Sequence, residues 1–444
     1  MAGMRTPTLG GRIIVSILMA QVAWAGPTES GSADAPLPLD RAVELALERN
    51  LDLIARRYDV DLASARVVTA GLFSNPTLSL GADYQDLLGS HFQNDQSNGA
   101  GPPEYNARLD YPFDVAGKRR KRLAVARVDR SIAELLLVNE VRELVFRVRS
   151  AGLDVLENAA ILALDRQQLE TLESVVAINE IRVRDGDLAE SELMRTRLAA
   201  RQVAGSIRLS ELEVAKARSM LGLLLATPFD APPVDVEGPI PSERLEPDLA
   251  SLRAAAAAER PDLRALEQAR GRADADVSLQ RALAVTDLGV GVQWHRQTAY
   301  AKGDSLGFFL NGFLPVFDRN QGEIRRAKAD RRQVEARLAA FRASLDAEVS
   351  RAVATYRAAR DRLNVFEGGA LEEAREVRGA AEYAYRRGEA SFLEFLDAQR
   401  VFNETTRSYY GALADHARAR YALDYVTGRW SGGSRDDAGA AGRP

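Results

Sequence analysis

The chain has 444 residues, and its 59 lysines and arginines against 63 aspartates and glutamates give a net charge of −4. This slightly acidic balance offers no electrostatic case for nucleic-acid binding. The absence of cysteine excludes disulfides, thiolate metal sites and an acylated N-terminal cysteine.

The first 25 residues have the pattern of a secretory signal peptide. Arg5 and Arg12 precede an apolar run from Ile13 to Ala20. Ala23 and Ala25 then form a small-x-small cleavage site. We therefore expect the mature chain to leave the cytoplasm. No other segment approaches the roughly 18 apolar residues of a membrane helix, so we expect any membrane-spanning part to consist of strands.

The rest of the chain repeats one order of elements, which indicates a duplicated architecture. We predict paired helical segments at 37–75 and 248–285, β-hairpins at 76–113 and 286–317, and coiled-coil hairpins at 114–226 and 318–427. A connector with six prolines separates the two copies at 227–247. The segment 428–444 has no apolar period and is predicted to be disordered.

The two β-hairpins show period-two alternation of apolar and polar residues. In the first copy the apolar positions are Leu78, Leu80, Ala82, Tyr84, Tyr105, Ala107, Leu109 and Tyr111. In the second copy they are Leu288, Val290, Val292, Trp294, Leu306, Phe308 and Leu310. Prolines are expected at strand ends, and an Asp is a good helix N-cap. The predicted strand-to-helix turns therefore contain Pro112, Asp114, Gly117, Pro315, Asp318 and Gly322.

Long helices follow each hairpin, from about Lys118 to Arg184 and from about Gly322 to Arg387. Roughly 65 helical residues reach about 100 Å, which is wider than a single globular core. The apolar positions step by four and three, which is the period of supercoiled helices. Gly368 and Gly369 interrupt the second helix and predict a local bend. Each helix then reverses at a tip, one at Gly186 and Asp187 and the other at Gly388 and Glu389.

The strand count limits how such a chain could enter a membrane. An open sheet edge in lipid leaves unpaired backbone groups, and four strands cannot close a barrel. Outer-membrane barrels begin at about 8 strands, and an eight-stranded interior is filled by side chains. A conducting barrel therefore requires at least three chains.

Several motifs resemble the TolC family of outer-membrane efflux proteins. They are the opening Leu39 to Asn50, the turns at Pro112-Phe113-Asp114 and Phe317 to Gly322, and the segments Tyr385 to Gly388 and Leu396 to Arg400. The turn followed by Gly117-Lys118-Arg119-Arg120 is most similar to the cobalt, zinc and cadmium resistance branch. The resemblance covers residues 37 to 428 and implies a mainly α-helical fold with a β-barrel part.

In that family three chains form a homotrimer with a twelve-stranded outer-membrane barrel and a periplasmic tunnel of helices. The resemblance implies a passive exit duct in the outer membrane of a Gram-negative bacterium. Its expected partners are a periplasmic adaptor, an RND-type inner-membrane pump and outer-membrane lipid, with no cofactor. Many relatives carry an N-terminal lipidated cysteine, so this cysteine-free chain is expected to anchor through the barrel alone.

The same resemblance places the periplasmic gate and the adaptor contacts at the two tips. Glu394 and Asp397 match the acidic constriction in the second coiled-coil hairpin, and Glu192 matches its partner in the first. A ring of carboxylates would favour cations. The alternative is structural, because Ser391 and Glu394 have the spacing of a capping box. Gly186 and Gly388 are either left-handed turn residues or points of close approach for an adaptor, and these two roles are compatible.

Other sites are disfavoured by the sequence. The run from Asp318 resembles a calcium loop, but Ala329 stands where a bidentate Glu is needed. The basic run Lys118 to Arg122 indicates a solvated helix face or contacts near the membrane rather than nucleic acid. His91, His295 and His416 lack metal-site spacing, and no motif indicates an enzyme.

Two other functions use related parts. A periplasmic adaptor also contains a coiled-coil hairpin, but it needs one hairpin flanked by small β domains rather than two preceded by strands. A duct for drugs or for type I secretion of polypeptides would have the same fold. The branch resemblance favours heavy-metal cations as the substrate.

Overall fold

The computed structural model describes residues 36–85, 103–228, 230–298 and 303–429. The predicted signal peptide, His91, most of the loop between the first two predicted strands, and the predicted tail beyond Arg429 lie outside the described residues. In the described part the chain is mainly helical with a small number of strands, as the sequence predicts.

The described elements follow one order twice. The first copy contains β1 (Leu37–Pro38), α1 (Leu39–Arg49), α2 (Leu51–Gly71), β2 (Thr77–Asp83), β3 (Glu104–Phe113), α3 (Lys118–Asp185) and α4 (Glu190–Leu224). The second contains β4 (Val236–Glu237), α5 (Leu249–Glu259), α6 (Pro261–Leu283), β5 (Leu288–Gln297), β6 (Gly303–Asn311), α7 (Gln321–Val365), α8 (Leu371–Arg387) and α9 (Phe392–Thr427).

The long helix of the first copy is continuous, whereas that of the second copy is divided. α3 has 68 residues, so it extends for roughly 100 Å. Between α7 and α8 lies a five-residue π-helical turn, Phe366–Ala370, in which Gly369 has a φ of 132°. This is the place where Gly368 and Gly369 predicted a bend. A φ in this range is accessible to glycine and strained for other residues.

The apolar stripe of α7 faces the interior at heptad spacing, because one side of a helix must be buried for it to be stable in water. Leu345, Val349, Tyr356 and Leu363 are at most 6% exposed. They pack with residues of α5 and α9, including Ala256 and Leu423. The stripe therefore holds the second coiled-coil hairpin against the helices that precede it in the chain.

The four long strands form one antiparallel sheet in the order β2-β3-β5-β6. The central pairing joins the two copies, since β3 lies beside β5 with Leu109 opposite Val292. β2 and β6 are the edges. Pro112 lies within β3 opposite Gly289, so this strand ends at Phe113 rather than at the proline. Tyr84 lies beyond the end of β2 with a φ of 58° and is not part of the alternation predicted for it.

Alternation gives the sheet two chemically different sides. We call one the apolar face; its rows include Leu80, Ala107, Trp294 and Leu306, and Leu78, Leu109, Val292 and Phe308. We call the other the polar face; its rows include Ser79, Arg108, Gln293 and Gly307, and Asp110, Gly291 and Phe309. Apolar side chains on the first face are largely exposed, Phe308 at 77%.

The proline-rich connector is ordered by contacts to both copies. Its strand β4 pairs in parallel with β1, Leu37 lying opposite Val236. Further along, the Leu245 backbone N–H donates to the Tyr356 hydroxyl at 2.6 Å. The backbone N–H and C=O groups of an extended segment need hydrogen-bond partners. These two contacts supply partners for part of the connector.

A buried ion cluster joins α3, α6, α7 and α9. Asp262, in the first turn of α6, accepts hydrogen bonds from Arg260 at 2.6 and 3.0 Å and from Arg142 of α3 at 3.1 Å. Arg260 also reaches Glu348 of α7 at 2.7 Å, and Arg142 donates to the Tyr425 carbonyl of α9 at 2.6 Å. Both arginines are at most 5% exposed. Burial alone would raise the pKa of Asp262, but the hydrogen bonds and charges of the arginines outweigh it and lower this pKa.

We expect Asp262→Ala to destabilise the protein strongly, because it leaves two buried guanidinium groups without their shared carboxylate. Breaking a buried ion pair costs about 3–5 kcal/mol. The free energy of unfolding, measured by urea titration in detergent, should fall by that order. The matched control is Glu372→Ala, which removes an exposed i,i+3 pair with Arg375 and should cost about 0–1 kcal/mol. Equal losses in the two variants would contradict a central role for the cluster.

Candidate functional site

Both helix reversals are closed by the same backbone motif. At the first tip Gly186 has a φ of 85°, its N–H donates to the Val183 carbonyl, and the N–H of Asp187 donates to Arg182. At the second tip Gly388 has a φ of 79°. Its N–H donates to the Tyr385 carbonyl, and the N–H of Glu389 donates to the Ala384 carbonyl. This double bond pattern is the Schellman motif, which needs a left-handed residue after the helix.

A chain of buried hydrogen bonds connects the two tips. The Tyr385 hydroxyl of α8 donates to Asn179 Oδ1 of α3 at 2.8 Å, and Asn179 Nδ2 donates to Thr196 Oγ1 of α4 at 2.9 Å. Asn179 and Thr196 are fully buried, and Tyr385 is 3% exposed. Burial raises the pKa of Tyr385, and the charge of Glu192 raises it further, so the phenol stays protonated as a donor. Hydrogen bonds of this kind fix one arrangement, because any other leaves buried groups unpaired.

Aromatic packing and an arginine reinforce this connection. The rings of Tyr385 and Phe395 stack with centroids 5.5 Å apart, and Phe392 lies 5.7 Å from Tyr385. They share a cluster with Leu172 and Val175 of α3. Arg182, at the end of α3, donates to the Tyr385 carbonyl at 3.3 Å and to the Arg386 carbonyl. A guanidinium that bonds the last carbonyls of another helix also complements the negative end of that helix.

The opposite ends of the coiled-coil hairpins meet the sheet at two turns of different construction. Asp114 accepts from the backbone N–H groups of Lys118 and Arg119, both at 2.7 Å, and thereby satisfies two free donors of α3. The N-cap position itself belongs to Gly117, with a φ of 66°. In the second copy Asn320 is the N-cap, and Asp318 accepts only from its N–H, at 2.8 Å. Asp318 therefore shapes the turn and does not cap the helix, contrary to the prediction for it.

These parts are two strand pairs in one sheet, each followed by long helices with a closed tip. A family model described as outer membrane efflux protein matches residues 42–226 and 252–429. The chain belongs to the outer membrane efflux protein family. The family resemblance seen in the sequence is therefore confirmed.

Two curated relatives of this outer membrane efflux protein are similar over nearly their whole length. It is 25% identical over 415 residues to the cobalt-zinc-cadmium resistance protein CzcC of Cupriavidus metallidurans, covering 91% of this chain and 93% of that one. It is 26% identical over 437 residues to the pyoverdine export outer membrane protein OpmQ of Pseudomonas putida, covering 89% and 87%.

The fold of this outer membrane efflux protein is similar to that of a solved channel. The Campylobacter jejuni CmeC outer membrane channel superposes with a TM-score of 0.77 over 91% of this chain and 89% of that one. The sequence identity is 13%, so the similarity shows the fold alone.

The acidic residues predicted for the gate lie in different surroundings. Glu394 is exposed and completes a capping box, since its carboxylate accepts from the Ser391 N–H at 2.9 Å. Asp397 is exposed and pairs with Arg400 at 2.9 Å. Glu192 is half-buried in the first turn of α4, where its charge acts on Tyr385. Asp187 and Glu389 are exposed beside the tip glycines.

Of the other candidates, His295 lies on the polar face 3.5 Å from Glu104, and His416 is buried against the Tyr356 hydroxyl at 3.3 Å. Burial lowers the pKa of His416. Within residues 36–85, 103–228, 230–298 and 303–429, no three His, Cys, Asp or Glu side chains are grouped so that they could hold a metal ion. Within these same ranges, no helix combines the length and apolar character needed to cross a bilayer.

The buried hydrogen-bond chain was not predicted from the sequence, although the sequence contains a signal for it. Leu172, Val175 and Asn179 step by three and four, as do Leu193, Thr196 and Ala200. Asn179 and Thr196 are thus polar residues at positions where the heptad pattern demands burial. Such residues specify register and partner, because they require a hydrogen-bonding group opposite.

We expect Tyr385→Phe to destabilise the tips without disturbing the aromatic packing. It leaves the buried Asn179 oxygen unsatisfied, which costs about 1–3 kcal/mol. Asn179→Ala should have a similar effect, and the double variant should lose less than the sum of the two. Urea titration of the single and double variants in detergent measures this coupling. Tyr383→Phe is the matched control, since Tyr383 is 59% exposed; strictly additive losses would show that the two side chains do not interact.

Proposed function

We propose that this protein is the outer-membrane exit duct of a tripartite efflux system. In this role it passively conducts substrate from an inner-membrane pump, through a periplasmic adaptor, to the exterior. The observation that carries the proposal is the four-stranded sheet, which has one apolar face, one polar face and two unpaired edges, and which continues into long helical hairpins. No enzymatic activity is proposed for this protein.

The edges supply the argument for a trimer. β2 and β6 each have one side without a strand partner in the described residues. In lipid these backbone groups would cost several kcal/mol each, so the sheet must close against other copies. Three chains supply twelve strands, which closes a barrel with a polar interior and an apolar exterior.

The helices support the same assembly. On α4 an exposed apolar stripe follows one side of the helix: Met194, Leu198, Leu209, Leu212, Met220 and Leu223. Each of these side chains is at least half exposed in the single chain. Exposed apolar side chains that share one side of a helix favour a packing partner, and a neighbouring copy of the same chain would supply one in a closed ring of hairpins.

The tips are the proposed gate and adaptor-docking site. A Cβ atom on Gly186 or Gly388 would meet nothing within 4 Å, so the surface above both glycines is open to a partner. In a trimer Glu192, Glu394 and Asp397 would supply nine carboxylates. A ring of this sign favours cations. The buried chain from Tyr385 to Thr196 would fix the two tips of each copy relative to one another.

Heavy-metal cations are the proposed substrate. Support comes from the similarity to CzcC, a cobalt-zinc-cadmium resistance protein. A second candidate is a small organic molecule, which the equal similarity to OpmQ, a pyoverdine export protein, favours. Both candidates are compatible with a duct whose pump selects the cargo.

Deletion of the gene tests the substrate. We expect the deleted strain to become sensitive to cobalt, zinc or cadmium, and the sensitivity to disappear when the intact gene is restored. Unchanged metal tolerance, combined with loss of an exported siderophore or increased drug sensitivity, would support the second candidate. A missing secreted protein without either effect would overturn the efflux function. A strain carrying the gene with Glu372→Gln, an exposed change away from both tips, is the matched control.

Glu394→Gln tests the gate. Glutamine can still accept from the Ser391 N–H, so the capping box is retained while one charge per chain is lost. We expect the single-channel conductance in planar bilayers to rise and the preference for cations to weaken. Glu372→Gln, a change at an exposed acid of α8 away from both tips, is the control and should leave both quantities unchanged. If Glu394→Gln also leaves them unchanged, then Glu394 acts only as a helix cap.

A further inference from the structure

Five glycines of the described strands lie on the polar face of the sheet, and four of them, all except Gly303, lie beside a large polar or aromatic side chain. Gly81 is opposite Asn106, and Gly291 is opposite Asp110. Gly289 pairs with Asn311, and Gly307 precedes Phe309 by two residues on the same face. None of the four has a φ in the left-handed range. The backbone conformation therefore does not demand glycine at these positions.

The space above each glycine is instead occupied by a neighbouring side chain. A Cβ on Gly291 would lie 2.4 Å from the Asp110 carboxylate, and one on Gly81 would lie 2.6 Å from the Asn106 amide. A Cβ on Gly289 would overlap Asn311 at 1.8 Å, and one on Gly307 would meet the Phe309 ring at 3.1 Å. Contacts below 3.0 Å force the neighbouring side chain to move. The adjacent side chains therefore lie over these glycines, and a Cβ atom there would displace them.

Two adjacent phenylalanines on β6 show the effect. Phe308, on the apolar face, stands away from the sheet and is 77% exposed. Phe309, on the polar face, is only 38% exposed. The side chains of Arg108 and Asp110 beside it are 26% and 21% exposed. Polar side chains on an open sheet face would ordinarily extend into solvent, so this low exposure indicates that they lie along the surface.

Specific contacts keep them in that position. Arg108 donates to Asp110 at 2.7 Å, and its guanidinium lies over the Phe309 ring at 4.3 Å from the centroid. Asn311 donates to the same Asp110 oxygen at 3.2 Å. Nearer the loop end, Asn106 donates to Asp83 at 3.1 Å. The ion pair and the cation–π contact run parallel to the sheet, which fixes the guanidinium against it.

We propose that Gly81, Gly289, Gly291 and Gly307 set the bore of the passage through the sheet. Because these glycines have no side chain, the neighbouring side chains can lie along the sheet and do not project into the lumen. These neighbours are Arg108, Asp110, Phe309, Asn106 and Asn311. This inference rests on the proposed function, in which the polar face lines the lumen. The glycines thereby set the largest solute that can enter the strand-lined part of the passage, while the tips remain the proposed gate.

The test uses Gly291→Ala in the full-length protein reconstituted into planar bilayers. The added methyl group displaces the Asp110 carboxylate and Arg108 towards the lumen. Polyethylene glycols of graded size are added on the side of the strand loops, so that the distant tips do not set the cut-off. We expect a lower single-channel conductance and a shift of the excluded polymer to a smaller size. Gly307→Val, which displaces Phe309, should act in the same direction.

Two further variants distinguish a change in the width of the passage from a general disturbance of the sheet. Val292→Leu adds volume to the adjacent residue on the apolar face and should leave conductance and cut-off unchanged. Removing the displaced groups, in Gly291→Ala combined with Arg108→Ala and Asp110→Ala, should restore or widen the passage. Absence of any channel from the unmodified protein would overturn the proposed function. A channel whose cut-off is the same in the glycine variants, or is not restored by the combined variant, would overturn the role of the glycines.

Discussion

One half-buried carboxylate, bonded to two buried arginines, joins the two copies of this protein. Asp262 lies between Arg142 of the first copy and Arg260 of the second, and Arg260 continues to Glu348. Ionic groups out of water are stable only when every member has a partner with good geometry. The cluster therefore permits one relative placement of α3, α6, α7 and α9. The sheet and the tips are attached to these helices, since β3 leads into α3 and α7 leads through α8 to the second tip.

The periodic features of this fold could be predicted from the sequence, because period two and the heptad step are local properties. The alternation of Leu109 with Arg108 and Asp110 identified a two-faced strand, and the glycines at 186 and 388 identified the helix reversals. Contacts between distant segments carry no such local signal. The bond from Tyr385 to Asn179 spans 206 residues, and only the polar residue in an apolar stripe indicates it. Asp318 failed as a predicted cap because Asn320 takes the N-cap position and the Asp318 carboxylate accepts from the Asn320 N–H within the turn.

The two tips share a backbone motif but differ in what their side chains do. The first has Val183 where the second has Tyr385, so the phenol, the stacked rings and the capping box all belong to the second hairpin. The first tip supplies the acceptors, Asn179 and Thr196, and the donor Arg182. Neither tip is complete without the other. This division of roles explains how a duplicated sequence produces a site that is not symmetric within one chain.

The pairing of the first short strand with the connector has a kinetic consequence. Leu37 cannot pair with Val236 until the whole of the first coiled-coil hairpin has been synthesised. The hydrogen bond from the Asn50 side chain to the Leu224 carbonyl, 174 residues later, is subject to the same delay. Closing so long a loop is entropically costly, although the cost grows only with the logarithm of length. The start of the first copy is thus completed only by the connector that follows that copy, and a chain truncated before the connector would leave β1 without its partner strand.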